Sequence, residues 1–209
     1  MQGLLGKKIG MTAVFDETGK QIAVTAIECG PCVIIQCKQK EKKGHDAVLI
    51  GFSKISEKHV NKPQLGVFKK RSIQPMRYCA DFALEEQDKC KEGDIITASL
   101  FKDVSYVDIT GITKGKGFQG VVRRYHMKGG PMTHGGHAKR RVGSSGVGTH
   151  AARVYKGKSM PGHMGAVQVT KQNLKVIQIF EDDNMILVGG SVPGPNGAIV
   201  RVNKARKRK

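Results

Sequence analysis

The chain has 209 residues, with 36 Lys and Arg against 17 Asp and Glu, a net charge of +19, 39% hydrophobic positions and no Trp. No apolar run approaches the ~18 residues that a membrane-spanning helix needs, and Lys7 and Lys8 interrupt the first apolar stretch before a signal peptide can form. A soluble, non-secreted protein is expected, with self-repulsion that a polyanion must neutralise; that makes nucleic acid, or else an anionic membrane surface, the expected class of partner. Five cysteines, an odd number, read as free thiols in a reducing compartment.

In chain order, Thr12 to Phe15 and Ile22 to Ile27 carry β-branched residues around Asp16-Glu-Thr-Gly19, the pattern of a hairpin. Cys32 to Cys37, Ala47 to Phe52, Asp94 to Leu100 and Val104 to Thr110 are further strand candidates. Helix is expected only at Pro63 to Lys70 and around Phe118, Val121, Val122 and Tyr125, which recur at helical spacing and predict one small apolar face. Leu174 to Phe180, Met185 to Val188 and Ile199 to Val202 are strands again, separated by Asp182-Asp-Asn and by Pro193-Gly-Pro-Asn-Gly197. Short strands with such turns predict a mainly β protein: an antiparallel β-barrel formed by both chain ends, with a long basic, Gly-rich loop extension inserted. The domain boundaries expected are residues 1–112 and 169–203 for the barrel, 113–168 for the extended loop and 204–209 for a basic tail.

Charge is distributed unevenly along this plan. Met1 to Asp108 holds 17 basic and 14 acidic residues, whereas Ile109 to Phe180 holds 13 basic residues and no Asp or Glu. The same middle segment has 14 of the 27 glycines and five of the seven histidines. At its centre, Gly129 to Gly148, the only large apolar side chains are Met132, Val142 and Val147. Such a stretch cannot bury enough apolar surface to offset the entropy of ordering, so a partner is expected to order it.

Two motifs invite a chemical reading. Cys29-Gly-Pro-Cys32 has redox-site spacing, but IAVTAI precedes it and VIIQ follows, so it reads as a turn between strands with no helix dipole to stabilise a thiolate. A thiol-disulfide oxidoreductase using Cys29 and Cys32 is nevertheless the enzyme alternative, and a free-standing nucleic-acid-binding protein is the other. Gly115-Lys-Gly-Phe-Gln-Gly120 matches a dinucleotide fingerprint, yet no acidic residue follows before Glu181 to hold a ribose.

The residues expected to contact RNA are Lys114, Lys116, Arg123, Arg124, Lys128, His134, His137, Lys139, Arg140, Arg141, His150, Arg153, Tyr155, Lys156, Lys158 and His163, with Arg206, Lys207, Arg208 and Lys209 of the tail. Guanidinium forks onto phosphate and stacks on bases, histidines add donors, and Tyr155 between Arg153 and Lys156 is either a stacking plane or packed on a strand. The histidines lack the carboxylates or thiols of a metal site. No cofactor, metal, catalytic residue, small-molecule substrate, membrane or self-association is called for.

Gly6-Lys-Lys-Ile-Gly-Met-Thr12, Glu28-Cys-Gly-Pro-Cys32, Gly111-Ile-Thr-Lys-Gly-Lys-Gly-Phe-Gln-Gly120, Gly143-Ser-Ser-Gly146 and Arg153-Val-Tyr-Lys-Gly-Lys-Ser-Met-Pro-Gly-His-Met-Gly165 occur in this order. In these runs the chain resembles the universal large-subunit ribosomal protein three family, in its short bacterial or organellar form. The resemblance implies a β-barrel on the subunit surface and a loop threading ribosomal RNA toward the peptidyl transferase centre. It also implies binding near the 3′ end of the large-subunit ribosomal RNA, a part in nucleating subunit assembly, neighbouring ribosomal proteins as partners, and a cytoplasmic location in the ribosome. Some relatives carry a methylated glutamine in the loop, where this chain has Thr149, and Ala151 stands where the family often has Pro.

Overall fold

The computed structural model describes residues 1–38, 46–84 and 90–208. The chain divides into two compact units, Met1–Ile112 with Gln168–Lys209, and Thr113–Val167. Among the described residues no helix is long and apolar enough to cross a membrane.

The first unit is built on strands β1 (Gly3–Phe15), β2 (Gln21–Glu28), β3 (Cys32–Lys38), β4 (Ala47–Lys54), β5 (Met76–Ala83), β6 (Ile95–Ile96) and β7 (Tyr106–Ile112). The second contains β8 (Phe118–Gln119) and β9 (Gly162–His163), after which β10 (Gln168–Phe180), β11 (Met185–Gly189) and β12 (Ile199–Lys204) complete the first. Six strands close into a barrel in the order β1-β12-β7-β10-β11-β2, every pair antiparallel. Closure leaves no sheet edge within the ring. Alternate residues point inward, so that Leu4, Ile27, Val107, Ile109, Ile186, Val188, Val200 and Val202 meet as one buried core.

The described residues within 32–96 supply no barrel strand. They form a separate sheet, β5-β4-β3-β6, whose Ile34, Val48, Ile50 and Phe82 pack into the barrel's core. Its other face is covered by helix α1 (Lys62–Lys70), through a small cluster of Ile35, Phe68 and Met76. α1 falls where the sequence predicts it, with Pro63 in its first turn, where a missing N–H costs nothing. The predicted strand Asp94 to Leu100 is mostly not one: only Ile95 and Ile96 pair with β3, and Ala98–Phe101 turns in a 3-10 helix that delivers the fully buried Phe101 to the core. β5 has no counterpart among the predicted strands, although Met76, Tyr78, Ala80 and Phe82 alternate at period two.

Two buried polar side chains hold the ends of this unit. Lys8 lies within β1, and its Nζ donates to the carbonyls of Val192, at 2.9 Å, and Gly194, at 3.0 Å, fixing the turn that leads into β12. A buried ammonium is tolerable only when fully hydrogen-bonded in this way. Asp108, in β7, accepts the backbone N–H of Asn173 at 2.8 Å through Oδ1 and that of Arg206 at 3.4 Å through Oδ2. Asn173 has φ of 55° at the register shift that bends β10 between Lys171 and Leu174, so one carboxylate secures both this kink and the start of the basic tail. The tail is not detached: Lys204 belongs to β12, Ala205 is buried with its N–H donating to the Tyr106 carbonyl, and the Arg208 guanidinium lies 5.3 Å from the Tyr106 ring centroid.

Replacing Asp108 with Ala removes the acceptor of two part-buried N–H donors, and each hydrogen bond to a charged group contributes about 1.5–3 kcal/mol. The expected loss is about 2 kcal/mol, given that the second contact is long. Urea denaturation should show a lower midpoint at an unchanged slope for Asp108→Ala, with a smaller loss for Asp108→Asn.

Candidate nucleic-acid interface

Thr113–Val167 holds eleven Lys and Arg, five His and no carboxylate. Its base is a two-stranded ladder. Thr113 N–H donates to the Val167 carbonyl at 2.9 Å, Lys116 N–H to Met164 at 2.8 Å, and Met164 N–H to Gly117 at 3.0 Å. Beyond these, β8 and β9 pair Phe118 with His163 and Gln119 with Gly162. Lys114 and Lys116 therefore sit on a defined stem, both side chains exposed.

A single turn of helix, α2 (Val121–Tyr125), follows. Val121, 2% exposed, is the one buried residue of the whole unit. Arg124 is half-buried: its Nη1 donates to the Met160 carbonyl at 2.8 Å, tying the outgoing and returning segments together, and its guanidinium lies over the Tyr125 ring. The guanidinium lies close against Gly162, where a Cβ would stand 2.5 Å from Arg124 Nη1. Arg123 reaches Gln119 Oε1 at 3.4 Å, and Gln119 in turn donates to the Lys116 carbonyl.

Farther out, Gly129 and Gly130 lie against Ala138 and Lys139. Gly130 N–H donates to the Lys139 carbonyl at 3.1 Å, and a Cβ on Gly130 would stand 2.8 Å from the Ala138 carbonyl oxygen. Glycine is needed here because two backbones meet with no room for a side chain between them. Lys128, His134, His137, Lys139, Arg140 and Arg141 project from this outer turn, all exposed. On the returning segment His150, Arg153, Tyr155, Lys156, Lys158 and His163 are exposed as well, with the Arg153 guanidinium 5.8 Å from the Tyr155 ring centroid. Arg206, Lys207 and Arg208 are exposed on the other unit, and Lys209 lies outside the described residues.

Tyr155 is 59% exposed, so its ring is not packed away on a strand. The expectation that Phe118 and Tyr125 pack into an apolar face does not hold. Phe118 is 68% exposed on β8, its ring edge-on to His163 at 6.1 Å, and Tyr125 is exposed too. A single turn of helix buries only Val121, so no face exists for them to join. Phe118 is thus an aromatic plane presented among cations that the sequence reading missed.

The surface has the composition that binds phosphate and stacks bases: cations without competing acids, exposed rings beside guanidinium groups, and backbone close to the surface wherever glycine occurs. The sequence matches the family described as Ribosomal protein L3 over residues 78–185. It is also 44% identical over all 209 residues to the large ribosomal subunit protein uL3 of Brachyspira pilosicoli and to that of Brachyspira hyodysenteriae, covering 96% of each. The chain belongs to the ribosomal protein L3 family. This is a family of structural proteins, not enzymes.

The cysteine pair that an L3 protein would need for redox work is built for the opposite. Cys29 and Cys32 are both buried, and the Cys32 thiol donates to the Leu5 carbonyl at 3.4 Å. Burial pushes Cys29 far above its ordinary value, with Cys32 and Glu28 adding to it. Cys32 is pushed up to about 12 by the desolvation that burial imposes. A thiol so protonated is no nucleophile at neutral pH. Among the described residues no three His, Cys, Asp or Glu side chains are grouped to hold a metal ion.

Iodoacetamide at pH 8 should label exposed Cys79 in the native protein and leave Cys29 and Cys32 unmodified until denaturant is added, as read by peptide mass spectrometry. The raised values also set a pH trend. The unfolded chain loses these protons near a thiol's ordinary 9.0 while the folded chain keeps them, so stability present below pH 9 should fall as pH rises toward 12. Denaturation midpoints at pH 8 and pH 10.5 should show this fall, and it should be smaller in Cys29→Ser with Cys32→Ser.

Proposed function

We propose that this structural constituent of the large ribosomal subunit binds large-subunit ribosomal RNA directly near its 3′ end, nucleates subunit assembly, and extends its acid-free loop, residues 113–168, toward the peptidyl transferase centre. The location is the ribosome, cytoplasmic in a bacterium. One observation carries the reading: a 55-residue unit, Thr113–Val167, with one buried residue, eleven Lys and Arg, and no carboxylate. Its own core cannot account for so many ordered residues, and its surface is uniformly attractive to phosphate. Small side chains let its backbone pass between closely packed RNA helices, where bulk or an acidic group would be rejected. Lys114, Lys116, Arg123, Arg124, Lys139, Arg140, Arg141, Arg153, Lys156 and Lys158 are assigned to phosphate and base contacts, and Phe118 and Tyr155 to stacking. The barrel serves as the anchor, with Arg206, Lys207 and Arg208 adding to it.

If about ten phosphates are neutralised, log K for a large-subunit RNA fragment should fall against log salt with a slope near −7 to −9, and a slope shallower than about −3 would overturn the electrostatic account. Deleting Gly130 to Gly148 behind a short Gly/Ser linker should leave the melting temperature of the free protein nearly unchanged, because that stretch contributes no buried residue. Peptide-bond formation by subunits reconstituted with the deleted protein should suffer more than RNA binding; an unimpaired reaction would confine the loop to assembly. Co-sedimentation with large subunits through high-salt washes separates this role from that of a free nucleic-acid-binding protein.

A further inference from the structure

The hairpin of β1 and β2 runs past the barrel that it helps to close. β12 pairs with β1 only from Gly3 to Lys7, with two more hydrogen bonds at Lys8, whose N–H donates to the Ala198 carbonyl and whose carbonyl accepts from Gly197 N–H. β11 pairs with β2 only from Val24 to Glu28. From Ile9 to Phe15, β1 is bonded to β2 on one side, and among the described residues it has no strand on the other. This stretch, Ile-Gly-Met-Thr-Ala-Val-Phe, has neither charge nor proline, the devices by which free strand edges are ordinarily protected. Met11, Ala13 and Phe15 share a face by alternation, with Ala23 across from Ala13. Phe15 is 70% exposed, Met11 53%, and Ile9, in the bulge at the base, 48%. The turn that follows carries Asp16 and Glu17, held by hydrogen bonds from Asp16 N–H to the Lys20 carbonyl at 2.9 Å and from Glu17 N–H to Asp16 Oδ1 at 2.9 Å.

We infer that the projecting part of this hairpin is a docking site for another protein of the large subunit, one that adds an extended, basic segment along β1 and lays alternate apolar side chains beside Met11 and Phe15. Three features select that occupant. The free edge offers main-chain hydrogen bonds to an added strand, and the apolar stripe beside it supplies the specificity of alternate pockets. The acidic turn complements Lys or Arg on the segment and repels phosphate, which argues against RNA on this face. A net charge of +19 on each copy opposes a second copy of the chain in the same place. The inference rests on the chain's place in the large subunit and adds to it a surface for protein rather than RNA.

The test uses subunits isolated from cells whose only copy of this protein carries a photo-crosslinking residue at position 15, compared with one at position 11. Illumination should join it to one ribosomal protein, through a segment containing Lys or Arg, as mapped by mass spectrometry. Met11→Lys with Phe15→Lys should lower retention of that protein on washed subunits about tenfold, the scale of losing a central apolar anchor, while the variant's own incorporation and melting temperature stay unchanged. Should the double variant fold poorly, the single crosslinker at the exposed Phe15 position still decides. Crosslinks to RNA, to a second copy, or to nothing in subunits that do contain the chain would overturn the docking site and leave the ribosomal role intact. Absence of the chain from large subunits would overturn both.

Discussion

The antiparallel ladder between β7 and β10 is the constraint on which the rest depends. Its first pair, Ile112 with Gln168, encloses a loop of 55 residues. Bringing the ends of so long a loop together costs roughly 3–4 kcal/mol in its length-dependent part alone, and Thr113–Val167, with one buried residue, has little of its own to offset this. The barrel meets that cost. Val107 and Ile109 on β7 and Leu174 on β10 are buried in the common core, Thr110 and Thr170 share a 2.7 Å hydrogen bond across the ladder, and Asp108 holds the β10 kink. The stem of the basic unit therefore begins with its two strands already side by side.

Charge is divided in the same way as packing. The first unit carries all 17 acidic residues, and several of those described pair there: Lys38 with Asp81 at 2.8 Å, Lys102 with Glu181 at 2.9 Å, Arg71 with Glu92 at 3.4 Å. Exposed pairs of this kind add little stability; the acidic residues hold the net charge of this unit to +8, against +11 on the much shorter basic unit. The basic unit contains no carboxylate with which its guanidinium and ammonium groups could pair. Its internal bonds use carbonyls instead, as Arg124 does with Met160, so that the cations keep their charge for a partner.

Much of this was legible in the sequence. Fold class, the hairpin around Asp16 to Gly19, helix α1 and the strands after residue 174 all follow from local patterns that agree with the tertiary structure. What was not legible has a common cause: structure made by pairing rather than by burial. β1 begins at Gly3, although Lys7-Lys8 breaks its apolar pattern, because Lys8 finds carbonyl partners that no sequence pattern announces. β10 begins at Gln168, six residues before its first buried side chain, because β7 supplies a ladder. That residues 32–96 form their own sheet depends on long-range register, to which period-two alternation is blind. Within the candidate interface the cations were plain from composition, whereas the stem, the Arg124 tie and the exposure of Phe118 required coordinates.

The strand order has a consequence for the timing of synthesis. β1 is among the first segments to leave a translating ribosome, but the barrel places it between β2 and β12, and β12 starts only at Ile199. The ring cannot close until almost two hundred residues have been made, and at about 5–20 residues per second that is an interval of order ten seconds or longer. In the later part of it the acid-free segment is made before β12, attached to a sheet that is still open. A polyanion that engages this segment early would hold a half-made protein, so the order of strands obliges the cell either to shield the nascent chain or to let its first RNA contact template the closing of the barrel.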